Sequence, residues 1–235
     1  MDGNSPEIVS SQTGPHARLP DVVRRHRDHA WRAPLHAATA LQFARWQGVD
    51  DAAMPLVVDL GCGHGDSTLA LAQRHAGARL LGVDQSAHRL ARLAPAGFAL
   101  HDRASQMRAE AATVLRLLAA AGRRIEVLYL LYPNPWPKPE HLLRRWHGHP
   151  VFPCLLANAR RVVLRTNWRI YAEEFALAAA LLGRVGTVAT LPQDAESLTP
   201  FERKYRSSGH ARFEVALDDA CAPPECERAK SSARK

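Results

Sequence analysis

A parallel β-sheet covered by helices on both faces is the α/β fold class this chain predicts, and three features predict it. From residue 55 onward, short apolar runs alternate with helical stretches. The runs are apolar at consecutive positions, as strands buried on both faces must be, rather than at every second one. Polar residues and glycines gather where the runs end, and such sheets bind ligands at the carboxyl ends of their strands.

The elements follow in order. Residues 1 to about 20 mix Ser, Pro, Gly and polar residues without a period and read as a flexible arm. The stretch "DVVRRHRDHAWRAPLHAATALQFARW" predicts a helix over its second half and carries a cationic cluster at Arg24, Arg25 and Arg27. Strand runs come next at "LVVDLG", "ARLLGVD", "GFALHD", "IEVLYLLYP" and "RVVLRTN". The helical stretches between them are "DSTLALAQRHA", "SAHRLARLA", "SQMRAEAATVLRLLAAAG" and a segment around "PVFPCLLANA", and "WRIYAEEFALAAALLG" follows the fifth run. Residues 218–235, polar and aperiodic, read as a disordered tail, which leaves one domain over 21–217.

Composition narrows the function. A chain of 235 residues, 46% hydrophobic, fills the core of one domain. No apolar run approaches the roughly 20 residues that span a bilayer, and the start "MDGNSPEIVS" lacks the basic and apolar regions of a signal peptide. No membrane association is expected. Cys62, Cys154, Cys221 and Cys226 have neither zinc-ribbon nor disulfide spacing, and the 12 His are scattered, so no metal site is expected and the cytoplasm is the default compartment. The formal charge of +8 favours a polyanionic partner.

The strand ends carry the chemistry. In "VVDLGCGHGDS", Gly61, Gly63 and Gly65 permit a sharp turn and close approach of a ligand to the backbone. A dinucleotide site is the rival reading. However, the spacing is G-x-G-x-G, and Asp59 just before the glycines suits a cationic amino group better than a pyrophosphate. Asp84, ending the next run, is placed to accept both hydroxyls of a ribose. Asp102, ending "GFALHD", is placed to accept from the exocyclic amine of an adenine. An amino acid, a ribose and an adenine together describe S-adenosylmethionine. Behind the fourth run, Pro133-Asn134-Pro135-Trp136-Pro137-Lys138 fixes the backbone tightly. There Asn134 offers an amide to orient a planar nitrogen heterocycle, and Trp136 or Tyr132 offers a face to stack on it.

Asp59, Gly61, Gly63, Asp84 and Asp102 resemble the motifs of Rossmann-like class I S-adenosylmethionine-dependent methyltransferases, with a mostly parallel seven-stranded sheet. "YPNPWPKPEHLLRR" is similar to the F-P-D-P-W-x-K…R-R signature of the bacterial tRNA guanine-N7 methyltransferases. "LRTNWRIYAEEF" resembles that family's A-T-D-W-x-x-Y-A-E stretch, and "SLTPFERKYRSSGHARFEVAL" its T-K-F-E segment and last strand. The blocks stand in the family's order over about residues 55 to 217. The resemblance implies a methyltransferase domain whose cofactor core begins near 55. It further implies that Asp59, Asp84 and Asp102 bind the cofactor and that Asn134 lies at the methyl-transfer site. Lys138, Asn167, Thr199 and Glu202 are then expected to face the base or the tRNA, with Lys138 and Arg145 on phosphate. Asn134 and Asn167 stand where the family has Asp, and Pro200 where it has Lys. These departures leave the cofactor half intact and alter the acceptor half. The reading that follows is N7 methylation of a tRNA guanine by a monomer or homodimer. The alternatives are the same fold redirected to a small nitrogen heterocycle, and a nucleic-acid-binding protein that keeps the cofactor site without efficient turnover.

Overall fold

A computed structural model gives the arrangement and describes residues 5–91 and 99–219. Its sheet runs β3-β4-β2-β1-β5-β6-β8-β7. The strands are β1 (Leu56–Leu60), β2 (Arg79–Asp84), β3 (Ala99–His101), β4 (Ala104–Arg108), β5 (Ile125–Leu131), β6 (Ala159–Thr166), β7 (Val188–Thr190) and β8 (Phe213–Asp218). From β4 through β2, β1 and β5 to β6 every pairing is parallel, and β8 is antiparallel to both β6 and β7. Those seven strands form the expected sheet, and the three-residue β3 adds an eighth, antiparallel to β4.

Side-chain parity explains the two faces. Val57, Leu80, Val127, Tyr129, Leu131 and Val163 point to one face, where they meet Leu71 and Ala72 of α3 (Asp66–Arg74). Leu56, Val58, Leu60, Leu81, Val83, Leu128, Leu130, Val162 and Leu164 point to the other. There they pack under α1 (Leu19–Asp28), α2 (Ala37–Gln47), α5 (Ala111–Ala120), α6 (Phe152–Asn158) and α7 (Arg169–Ala180). Gly82 lets α3 come close, because a Cβ there would lie 2.5 Å from the Thr68 hydroxyl. The chain leaves β1 toward β2 and β4 on one side, and β5 and β6 lie on the other. The connections therefore diverge at the carboxyl end of β1, where a crevice opens.

Several expectations change. "GFALHD" is not a parallel strand: its last residues form the short hairpin strand β3, and "ASQMR", expected as the start of a helix, is the buried parallel strand β4. Its polar residues disguise it, yet Ser105 and Gln106 are buried, and Gln106 Nε2 donates to Leu90 O at 2.6 Å. The first half of "DVVRRHRDHAWRAPLHAATALQFARW" is also helical, as α1. The arm expected to be free is laid on the core from Ser5: Ser5 N–H donates to Ser208 Oγ, and Ser10 Oγ to Pro137 O. Residues 220–235, including Cys221 and Cys226, lie outside the described residues.

Candidate functional site

The glycine turn leaves β1 with Gly61, Gly63 and Gly65 at φ of 82°, 60° and 95°, a region that side chains with a Cβ disfavour. The turn is tied to β2 through Gly61 N–H and Cys62 N–H, both donated to Val83 O. It delivers the chain into α3, whose first turn supplies Ser67 and Thr68. Both hydroxyls donate to Asp59 Oδ2, at 2.6 and 2.8 Å. Asp59 Oδ1 is buried without a partner among the described residues. Burial pushes the Asp59 carboxyl up to about 6, against the two hydroxyl bonds, and the nearby Asp84 adds to the rise. A buried carboxylate with one unmatched oxygen favours a cation such as an ammonium group.

Asp84 ends β2 beside that turn. Its Oδ2 accepts from Gly63 N–H at 3.1 Å and its Oδ1 from Ser86 N–H at 2.8 Å, which fixes the carboxylate plane. Arg89 pairs with Oδ2 at 3.2 Å. Each oxygen keeps capacity for a ligand hydroxyl, although a hydroxyl on Oδ2 has to share it with Arg89. His64 of the turn faces the Arg89 carbonyl at 2.9 Å, which makes it a fastener of the loop.

Asp102 does not join this group. It lies exposed in the turn between β3 and β4, before the Leu80–Ala104 pair, whereas Asp84 pairs with Arg108 at the far end of the same strands. At about 3.3 Å per residue the two carboxylates sit at opposite ends of the sheet. The acid that the structure does bring to the carboxyl end of β4 is Glu110. It caps α5 by accepting from Thr113 N–H at 2.8 Å. A pocket of about 410 Å³ opens beside it, lined among others by Gln85, Arg108, His36 and Thr39. Sequence alone does not single out Glu110, because the residues before it carry a helical pattern.

The acceptor-side loop follows β5, which neighbours β1. Tyr132 and Trp136 adopt φ of 52° and 46°, a conformation that costs about 1–3 kcal/mol per non-glycine residue and persists only where surroundings enforce it. Tyr132 N–H is held by Arg165 O at 2.8 Å, and Asn134 Oδ1 accepts from Trp136 N–H at 3.3 Å. Asn134 and Lys138 are exposed. The Trp136 ring is half-buried, with the Arg144 guanidinium over it at 4.7 Å and His141 edge-on, so only part of it is open to a base. Tyr132 packs at 5.3 Å from Tyr205, and burial, reinforced by the charge of Glu202, raises its phenol.

Asn167, at the end of β6, faces His210 Nδ1 through Nδ2 at 3.4 Å. Thr199 caps and Glu202 lies in α8 (Pro200–Ser207), and neither is turned toward a ligand as expected. The Thr199 hydroxyl caps the helix by accepting from Glu202 N–H. Glu202 has no exposed surface: it pairs with Arg165 at 3.0 Å, lies 3.8 Å from Arg212, and accepts from Leu198 N–H. A carboxylate so committed has no free side for a base. Arg145, expected on phosphate, is likewise fully buried and paired with Glu174 at 2.5 Å. The cofactor half thus gathers Asp59, Gly61, Gly63 and Asp84. The acceptor half offers Asn134, Trp136, Lys138 and Asn167.

Comparison with known proteins agrees with this geometry. Residues 53–215 match a family model described as a putative methyltransferase. A tRNA (guanine-N(7)-)-methyltransferase from Leifsonia xyli subsp. xyli is 33% identical over 174 residues, covering 68% of this chain and 74% of that protein. A protein of the same name from Treponema pallidum subsp. pallidum is 31% identical over 194 residues, covering 76% of this chain and 75% of that one. Among solved structures, the 16S rRNA methyltransferase KamB superposes with a TM-score of 0.52 at 16% identity, over 81% of this chain and 96% of that one. A mutant 16S rRNA (adenine(1408)-N(1))-methyltransferase from Catenulisporales acidiphilia, solved with its cosubstrate SAM, gives 0.52 at 18% identity, over 77% and 93%. At those identities the structural likeness speaks for the fold alone.

Proposed function

The chain belongs to the tRNA (guanine-N7)-methyltransferase family, and on that premise we propose that it methylates N7 of a guanine in tRNA. S-adenosylmethionine is the cofactor, and it supplies the methyl carbon as an electrophile bound to a sulfonium. The residues fit it: the unpartnered Oδ1 of Asp59 suits the ammonium of its amino-acid end, the glycine turn admits it to the backbone, and Asp84 suits the ribose.

The observation that carries the acceptor assignment is the adjacency of β1 and β5. Their pairing, with Leu60 opposite Leu130, sets the loop of Asn134 beside the glycine turn. Guanine N7 has an in-plane lone pair and needs no base, so the residues here have only to align it. Asn134 orients the ring by hydrogen bonding without adding charge, Trp136 and Tyr132 limit its tilt, and Lys138 meets phosphate. Glu110 takes the adenine role first assigned to Asp102.

A single-turnover assay on unmodified tRNA, read by mass spectrometry of the digested nucleosides, tests this. Formation of 7-methylguanosine is expected. Methylation confined to small heterocycles, with none on tRNA, would sink the reading.

A further inference from the structure

Arg145 emerges from a cluster that the acceptor chemistry leaves unexplained. Its guanidinium is fully buried beneath the loop after β5, at 4.9 Å over the Trp168 ring. Nε donates to Trp136 O at 3.2 Å, and Nη2 reaches Trp136 O at 3.1 Å and Lys138 O at 3.2 Å. The carbonyl between these two, on Pro137, accepts from Ser10 Oγ at 2.5 Å. Three successive carbonyls of the loop are therefore drawn inward. The guanidinium is itself anchored from behind, by Glu174 Oε2 on Nη1 and by Gln12 Oε1 on Nη2, both at 2.5 Å. Gln12 in turn donates to Glu174 Oε1 at 3.0 Å.

Only a planar fork of donors can serve two carbonyls, a carboxylate and an amide at once, and lysine has no such geometry. The two carbonyls it holds follow the left-handed bend at Trp136, whose N–H, on the N-terminal side of that bend, is the one Asn134 Oδ1 accepts from. By holding the carbonyls of Trp136 and Lys138, Arg145 fixes the backbone just after Trp136, and through the Trp136 Cα it sets the direction of the N–H to which Asn134 is bound.

We propose that Arg145 is a positioning residue for methyl transfer, fixing Asn134 and Trp136 from below through the Trp136 and Lys138 carbonyls without touching the substrate. This rests on the reading of Asn134 as the residue that orients the acceptor base. The N-terminal segment takes part through Ser10 and Gln12, so the acceptor loop depends on residues more than a hundred positions away.

The test is Arg145→Lys in the full chain, which keeps a cation beside Glu174 and removes the fork. Hydrogen exchange of the 132–138 peptide should accelerate while β1 and β2 keep their protection. Single-turnover transfer to saturating tRNA should fall about a hundredfold, as for a displacement of the reacting groups by about 1 Å, with S-adenosylhomocysteine affinity within about twofold of wild type. Gln12→Ala is the milder variant, because it leaves the Arg145–Glu174 pair in place. It should move the same readouts the same way by about tenfold, as for losing the one hydrogen bond that Gln12 makes to Arg145. Unchanged loop exchange in a folded variant would overturn the proposal. So would an unchanged rate, or a parallel loss of cofactor affinity that marks a general structural role. If wild type proves inactive on tRNA while the loop still loosens in Arg145→Lys, the tRNA reading fails and the hold of Arg145 on the loop stands.

Discussion

Asp59 is the residue whose charge state matters most. The rise of its carboxyl from 3.8 to about 6, the balance of burial and Asp84 against the two hydroxyl bonds, corresponds to about 3 kcal/mol by which its surroundings disfavour the charged form. Because the folded value lies above the unfolded one, this group makes the unliganded protein less stable as pH rises through that interval. An ammonium group brought to Oδ1 reverses the penalty. Below about pH 6 the carboxyl must lose a proton before it can pair with that ammonium. Affinity for S-adenosylmethionine should therefore fall by up to about tenfold per pH unit under that value, while affinity for adenosine, which lacks the amino acid, stays flat. Calorimetry across this range checks it, and equal slopes for both ligands would remove Asp59 from the ammonium site. The amide at Asn167 shows the same economy of charge. His210 Nε2 lies 2.8 Å from Ser5 O and must carry its hydrogen, so in a neutral ring Nδ1 is an acceptor. That orients Asn167 with Nδ2 toward the ring and leaves Oδ1 as the end able to accept. An Asp there would offer that nitrogen only acceptor oxygens, whereas the Asn amide offers it a donor.

At the scale of elements, the alternation of β1, β2, β5 and β6 with their helices was legible because each strand is a run of aliphatic side chains buried on both faces. β4 was not legible. Its "ASQMR" holds one large apolar residue, Met107, and its burial rests on hydrogen bonds such as that of Gln106, which no periodicity reveals. On the proposed reading, the position of β4 moves the adenine-side acid from Asp102 to Glu110. The two positions make opposite predictions. Glu110→Ala should weaken S-adenosylmethionine binding by about tenfold or more, as expected for losing a hydrogen bond to a charged group, whereas Asp102→Ala at the far end of the sheet should leave it unchanged. Calorimetric titration of both variants decides it, and the reverse result would restore Asp102. The acceptor side was legible as motifs but not as roles. Pro-Asn-Pro-Trp-Pro-Lys announces a rigid loop, yet nothing in "LLRRW" distinguishes Arg144, which covers Trp136, from Arg145, which is buried beneath the loop. Thr199 and Glu202 likewise read as substrate contacts until Arg165 and Arg212 are seen to claim the carboxylate.

Over the whole molecule, the net charge of +8 is a property of the surface only after the buried cations are set aside. Arg145 and Arg212 are fully buried, and Arg165 and Arg184 nearly so. Arg145, Arg165 and Arg212 lie beside internal carboxylates, and Arg184 donates to five backbone carbonyls. These hold the fold together and offer nothing to a phosphate backbone. Exposed cations include Arg25 on α1, Arg144 and Lys138 on the acceptor loop, and Arg203, Lys204 and Arg206 on α8. The acceptor loop and α8 both lie at the carboxyl end of the sheet, since α8 leads into β8, whose Phe213 pairs with Thr166 at the end of β6. A polyanion docking there releases counterions from each phosphate that is neutralised, and the logarithm of its affinity falls linearly with the logarithm of salt concentration. Lys138→Ala should lower the magnitude of that slope by about one and weaken binding to tRNA irrespective of its sequence. Arg145→Gln, which removes the charge, should leave the slope as in wild type, because the guanidinium it replaces faces Glu174 and loop carbonyls rather than solvent. Filter binding across a salt series separates the two. If Arg145→Gln flattened the slope as much as Lys138→Ala, the buried guanidinium would have to reach phosphate, and the acceptor loop would have to open when tRNA binds.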